Sequence, residues 1–182
     1  MVQNIFLLAI AYLLGSISLS KLLTKAFKLE DPTATGSGNA GFSNVYRLNR
    51  KLGFITGLSD LLKGIFCSYL GSLTDYGFSY GATAGLIGNL LSIFRTSGKG
   101  MAMLMGVGSY LSAYNIALPI LWFLFAKSYY ASAASLFVVG YMLIWVFKIK
   151  AFILLLPLIL IIYKHKDNIY RLWTGSELKL DR

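Results

Sequence analysis

Long apolar runs alternate with short polar stretches along the whole chain, and most runs are close to one bilayer crossing in length. A helix crossing ~30 Å of hydrocarbon needs about 20 mostly apolar residues. Residues 4–23 meet that need with no charge before Lys21. Residues 52–73 and 76–94 predict two further crossings, joined by a tight turn around Asp75 and Tyr76. Residues 101–126 span about 39 Å as one helix, long for a single crossing and short for two; Asn115 and Pro119 predict a break within them. Residues 131–147 and 151–163 follow, separated by Lys148-Ile149-Lys150. Each lysine would cost ~2.5–3.5 kcal/mol at the bilayer centre, so a turn is expected there. The last run is short and carries Pro157, so tilt, bilayer thinning or snorkelling of Lys150 has to supply its length.

Composition agrees with this pattern. Hydrophobic residues make up 57% of the 182 and charged residues only 13%, against about 25% charged in soluble domains. The net charge of +10 comes from 17 cations that sit between the apolar runs and not on a polar domain. That placement excludes nucleic acid as the natural partner and fits a membrane surface. Read as seven spans, the chain puts 14 cations on one side, Lys148 and Lys150 on the other and Lys63 within a span. Taking residues 101–126 as one span leaves 10 on one side and 6 on the other. The positive-inside rule selects seven spans, with the N-terminus outside and the C-terminus cytoplasmic. The first run lacks a basic leader, its lysines following the apolar core, so it is a span and not a signal peptide. The expected fold is all-α and polytopic, with residues 1–182 forming one membrane domain. A single cysteine, Cys67, and a single histidine, His165, exclude a disulfide framework and a His/Cys zinc site.

Four polar segments then share the inner face: residues 30–50, 95–100, 127–132 and 164–182. The first contains Gly36-Ser37-Gly38-Asn39-Ala40-Gly41-Phe42-Ser43-Asn44 with Arg47 close behind. Such a run is either an anion-binding nest, glycines admitting an oxyanion to backbone N–H groups, or a flexible interfacial turn. The second, Thr96-Ser97-Gly98-Lys99-Gly100, opens a helix whose amides suit phosphate. It is not a P-loop, because Ile93 stands where that pattern needs glycine and Gly100 where it needs Ser or Thr. His165 and Asn168 share one helical face, and the neighbouring Lys164, Lys166 and Arg171 suit either a site or lipid headgroups. Asp60 and Lys63 lie within a span, where ionisable groups are functional candidates unless the lysine snorkels. Gly53 and Gly57 read as helix-packing contacts.

Taken in order, these residues resemble the bacterial integral-membrane glycerol-3-phosphate acyltransferases that use acyl phosphate as donor. The resemblance runs almost end to end. It rests on Gly15-Ser16-Ile17, the Gly-Ser-Gly-Asn run through Asn44 and Arg47, Asp60-Leu61-Leu62-Lys63-Gly64, Gly98-Lys99-Gly100, Ser132 to Ser135, and His165 to Leu172 with Gly175 and Glu177. It implies seven helices and a cytoplasmic site where a fatty acyl group passes from acyl phosphate to the 1-hydroxyl of glycerol 3-phosphate. The products are lysophosphatidic acid and inorganic phosphate. The implied acceptor-binding residues are Ser37, Arg47, Lys99, Ser132, His165 and Asn168; Lys99, Asn89 and Asn39 are the implied catalytic ones. The expected partners are glycerol 3-phosphate, long-chain acyl phosphate and membrane lipids in the bacterial inner membrane, with no cofactor and no metal. Bringing two polyanions together requires charge neutralisation and alignment, which Arg47, Lys99 and a protonated His165 would supply. No acyl-enzyme is expected: Cys67 lies in a span with no base nearby in sequence.

The chain departs from the family pattern chiefly on the donor side. Gly88-Asn89-Leu90-Leu91-Ser92 lacks the usual His and Pro, the following loop is two residues shorter with Ser97 for a glycine, Thr33 replaces an arginine, Phe42-Ser43 replaces Ala-Thr, and Tyr129 stands at a usually basic position. Asn89 can hydrogen-bond a phosphate or carbonyl but carries no charge and moves no proton. Three readings stay open: an active acyltransferase, a non-catalytic relative that keeps the glycerol-phosphate cradle as a binding or scaffold subunit, and a small-solute or anion transporter. The last would call for midplane polar residues and internal repeats, and no convincing repeat is visible.

Overall fold

The computed structural model describes residues 1–34, 36, 38–94 and 98–180. Its regular structure is helical, with no strand among the described residues. In order the helices are α1 (Val2–Ser16), α2 (Leu19–Ala26), α3 (Phe42–Leu48), α4 (Arg50–Ser72), α5 (Phe78–Leu90), α6 (Met101–Leu111), α7 (Leu118–Ser128), α8 (Ala131–Lys148), α9 (Leu155–Lys164) and α10 (Lys166–Trp173). Short 3₁₀ turns, Ala113–Ala117 and Phe152–Leu154, precede α7 and α9.

Small residues hold the helices together, as they must where lipid removes the hydrophobic drive to associate. A Cβ on Gly15 of α1 would lie 2.0 Å from the Gly85 carbonyl oxygen of α5, and one on Gly88 of α5 would lie 2.1 Å from the Tyr12 carbonyl oxygen of α1. Helices α4 and α6 interlock in the same way, Gly64 against Met103 and Gly106 against Leu61. Gly53 and Gly57 do pack a helix: they seat α3, through Tyr46 and Phe42, on α4. The outer surface is apolar, with Phe6, Leu58, Ile120, Phe137, Ile144 and Ile159 all more than half exposed. A contiguous apolar exterior of this kind suits hydrocarbon and not water.

Residues 101–126 divide where Asn115 and Pro119 predict. Helix α6 stops at Leu111, and α7 starts with Pro119 in its first turn. Asn115 is buried in the break, donating from Nδ2 to the Gly108 carbonyl at 2.8 Å and accepting the Tyr141 hydroxyl at 2.7 Å. A turn also separates α8 from the next helix, with Lys150 in the left-handed region at φ 57°. The first span differs from expectation. Residues 4–23 form no continuous helix, because α1 ends at Ser16 and α2 restarts at Leu19 with a 40° bend. Lys63 explains how the break is tolerated: its Nζ donates to the Ile17 carbonyl at 2.7 Å and pairs with Asp60 at 2.6 Å. The carbonyl that the interrupted helix leaves open therefore finds a charged donor. Helix α5 is likewise shorter than predicted, ending at Leu90. Among the described residues only α8 is long and apolar enough to cross a bilayer as an unbroken helix, and α1 with α2 would do so as a bent pair.

Candidate functional site

A cavity of about 390 Å³ opens at the end of the bundle where α4, α6 and α8 begin and α5 and α9 finish. Its polar wall is assembled from segments far apart in sequence. Helix α3 contributes Arg47, whose Nη1 donates to Asn44 Oδ1 at 2.9 Å. Asn44, 1% exposed, fastens the loop before α3: its Nδ2 donates to the carbonyls of Asn39 at 2.8 Å and Pro32 at 3.1 Å. Ser20 on α2 holds the same loop by donating to the Ala40 carbonyl at 2.8 Å. Gly36 has φ +57°, and a Cβ there would come within 2.5 Å of Asn44 Oδ1, so glycine is needed for both the backbone turn and the close approach.

Lys99 stands just ahead of α6, and Gly100 in the left-handed conformation (φ 75°) turns the chain into that helix. The loop is clipped on two sides: Gly98 N–H donates to the Asn89 carbonyl at 3.2 Å, and Lys164 Nζ donates to the Gly98 carbonyl at 3.2 Å. Lys99 Nζ itself donates to Asn168 Oδ1. Asn168 Nδ2 in turn donates to Glu177 Oε1 at 2.7 Å, and Glu177 Oε2 accepts Arg171 Nε at 2.9 Å. Burial foremost, and then the Arg171 charge, lower the Lys99 ammonium to about 8, so it is still largely protonated at pH 7. Two polar side chains on the cavity wall, Ser132 (4% exposed) and Asn89 (8%), carry oxygens with no hydrogen-bond partner among the described residues. Buried oxygens of this kind are primed to bond an incoming ligand.

His165 corrects one expectation. Its Nδ1 lies 2.8 Å from the Ile161 carbonyl. A carbonyl can only accept, so Nδ1 carries the proton and Nε2 is left as an acceptor. Burial outweighs that hydrogen bond and pulls the imidazole down to about 4. His165 is therefore neutral at pH 7 and adds no positive charge to the site.

The remainder of the cavity is apolar. Phe42 stacks on Tyr46 at 5.4 Å and meets Trp122 edge-on at 5.5 Å, while Phe54 packs on Phe123 at 5.2 Å. Trp122 satisfies its indole by donating to Ser135 Oγ at 3.1 Å. The cavity thus offers both polar groups that suit a phosphate and aromatic surface that suits a hydrocarbon chain.

Of the residues singled out from sequence, Asn39, Arg47, Asn89, Lys99, Ser132, His165 and Asn168 all line this one cavity. Ser37, with Arg95, Thr96 and Ser97, lies outside the described residues. Asp60 also reaches the wall, beside its ion-pair partner Lys63. Sequence reasoning placed residues 164–182 on the inner face and counted Gly175 and Glu177 in the family resemblance, but gave the tail after α10 no role in the site. Glu177 and Leu178 line the cavity and Leu180 is buried; beyond Glu177, two leucines spaced two apart in a polar terminus were the available signal.

An apolar-sided helical bundle with a cationic pocket that continues into an aromatic one defines a membrane protein built for an amphipathic phosphate compound. Comparison with known proteins narrows this class. The family profile described as glycerol-3-phosphate acyltransferase matches residues 5–175. Glycerol-3-phosphate acyltransferases of Endomicrobium trichonymphae and Pasteurella multocida are 36% and 37% identical, covering 99% and 97% of this chain and 97% and 93% of their own. The crystal structure of PlsY (YgiH), an integral membrane glycerol 3-phosphate acyltransferase, in its glycerol 3-phosphate form superposes with a TM-score of 0.85 at 30% identity, covering 97% of this chain and 94% of that one. Its lysophosphatidic acid form gives 0.82 at 29% identity, with the same coverage. The chain belongs to the glycerol-3-phosphate acyltransferase family.

Proposed function

We propose that this protein transfers a fatty acyl group from acyl phosphate to the 1-hydroxyl of glycerol 3-phosphate at the cytoplasmic face of a bacterial inner membrane. It acts there as one seven-span unit with its N-terminus outside. The observation that carries the reading is the meeting, in one cavity, of four separate polar segments with an aromatic wall that includes Phe42, Phe54, Trp122 and Phe123. Lys99 and Arg47 supply the positive charge for the acceptor phosphate, and Ser132 and Asn168 supply directional hydrogen bonds. Neutral His165 presents Nε2 as an acceptor, suited to orient a glycerol hydroxyl. The hydroxyl oxygen attacks the acyl carbonyl carbon, the carbon–oxygen bond to phosphate breaks, and inorganic phosphate leaves. The hydroxyl proton passes to phosphate oxygen, so positioning and charge neutralisation are the protein's contribution. Asn39 and Asn89 are assigned to the donor side, where a side-chain amide can bond the acyl carbonyl without moving a proton. Family structures solved with glycerol 3-phosphate and with lysophosphatidic acid support the acceptor and product.

Purified protein supplied with long-chain acyl phosphate and glycerol 3-phosphate tests the proposal. Phosphate release matched by lysophosphatidic acid is the expected result. Asn89 in place of the usual histidine favours one rival, a cradle that binds without turnover. That rival holds if glycerol 3-phosphate binds and no product forms; recovery of turnover by Asn89→His would then locate the defect on the donor side.

A further inference from the structure

The tail after α10 does more than end the chain. Gly175, at φ 71°, turns it back toward the cavity. It is then fastened at two points: the Glu177 carboxylate holds Asn168 and Arg171, and Leu180 is buried to 1% exposure within the apolar core. Between those anchors the Lys179 carbonyl accepts Arg47 Nη2 at 2.9 Å and Arg47 Nε at 3.3 Å, across 132 residues of sequence. Arg47 Nη1 meanwhile donates to Asn44 Oδ1 and to the Ser43 carbonyl. Each of the three guanidinium nitrogens thus donates to at least one carbonyl or amide oxygen. A single carbonyl that accepts from both Nε and Nη2 fixes the plane of the guanidinium.

We infer that residues 177–180 are a positioning element that sets Arg47 for the acceptor phosphate, with buried Leu180 as the anchor that keeps the Lys179 carbonyl in place. The inference rests on the acyl-transfer reading for its substrate, but binding of glycerol 3-phosphate tests it without turnover. Truncating the Leu180 side chain loosens the anchor without touching either bonded atom. Leu180→Ala is expected to raise both KM and calorimetric Kd for glycerol 3-phosphate by about tenfold, the size of a typical coupling between interacting residues. KM for acyl phosphate and kcat should change less than about threefold on the same scale, and Leu180→Met, which conserves volume, should restore the acceptor constants. Lysine cannot reproduce the fork of bonds to the carbonyl, so in an Arg47→Lys background Leu180→Ala is expected to add nothing. The inference is overturned if Leu180→Ala leaves glycerol 3-phosphate affinity unchanged, if both substrates lose affinity together with the melting temperature, or if the effect is undiminished in Arg47→Lys. A wild-type protein that binds glycerol 3-phosphate but makes no lysophosphatidic acid would defeat the acyltransferase reading alone, because the calorimetric series still decides the role of the tail.

Discussion

At the residue scale, the site is a contest between burial and charge. Lys99 gives up part of its basicity to enter the cavity, and its depressed value of about 8 has a kinetic consequence. kcat/KM reports groups of the free enzyme and free substrate. The acceptor phosphate gains its second charge through about pH 6, and Lys99 loses its proton as pH rises through about 8. The profile of kcat/KM for glycerol 3-phosphate should therefore be bell-shaped, and replacing Lys99 by arginine should carry the alkaline limb upward. A limb unmoved by Lys99→Arg would mean that another group titrates there. Lys99→Ala and Arg47→Ala should each cut turnover by roughly 10²–10³ or more, the cost of losing one preorganised charge-stabilising donor; product formation near wild-type rate in either variant would contradict their placement. Part of this was legible in the chain: the Gly-Ser-Gly-Asn run read as either an anion nest or a turn, the Lys99 loop suited phosphate, and His165 and Asn168 shared one helical face. The protonation of His165 was not legible, because it depends on a carbonyl four residues back and on burial by other helices.

At the element scale, the positions and order of the apolar runs carried the helices, but interruptions set by distant partners were hidden. The break after Ser16 is the clearest case: the Ile17 carbonyl is answered by Lys63, 46 residues away, and no local signal at Gly15-Ser16-Ile17 reveals that. The ion pair behind it is largely shielded from solvent, with Lys63 and Asp60 side chains 14% and 17% exposed. Removing one partner of a buried pair strands the other, at a typical cost of about 3–5 kcal/mol. Lys63→Met should accordingly lower the melting temperature in detergent more than Lys63→Met combined with Asp60→Asn; a double variant that melts lower still would show that the pair is not coupled. Glycine contacts make a second prediction. The Cβ of Gly106→Ala would sit 2.0 Å from the Leu61 carbonyl oxygen, so α4 and α6 must separate, and overpacking of this kind typically costs about 1–3 kcal/mol. Unchanged thermal stability would mean that the two helices already have room.

At the scale of the whole molecule, the account depends on topology, because anion-binding segments separated by more than a hundred residues serve one substrate only if they share one side of the membrane. Counting cations favours that arrangement from sequence, and the structure divides residues 101–126 into α6 and α7 with Asn115 buried at the break. Cysteine accessibility tests it most directly. In a Cys67→Ser background, Lys28→Cys, Tyr129→Cys and Thr174→Cys place thiols at exposed positions around the site end, and Tyr114→Cys places one at the 91%-exposed opposite turn. With a membrane-impermeant maleimide, the first three should react only in inside-out vesicles and the fourth only in intact spheroplasts. Labelling of any one of the first three from the opposite side to the other two would contradict the account.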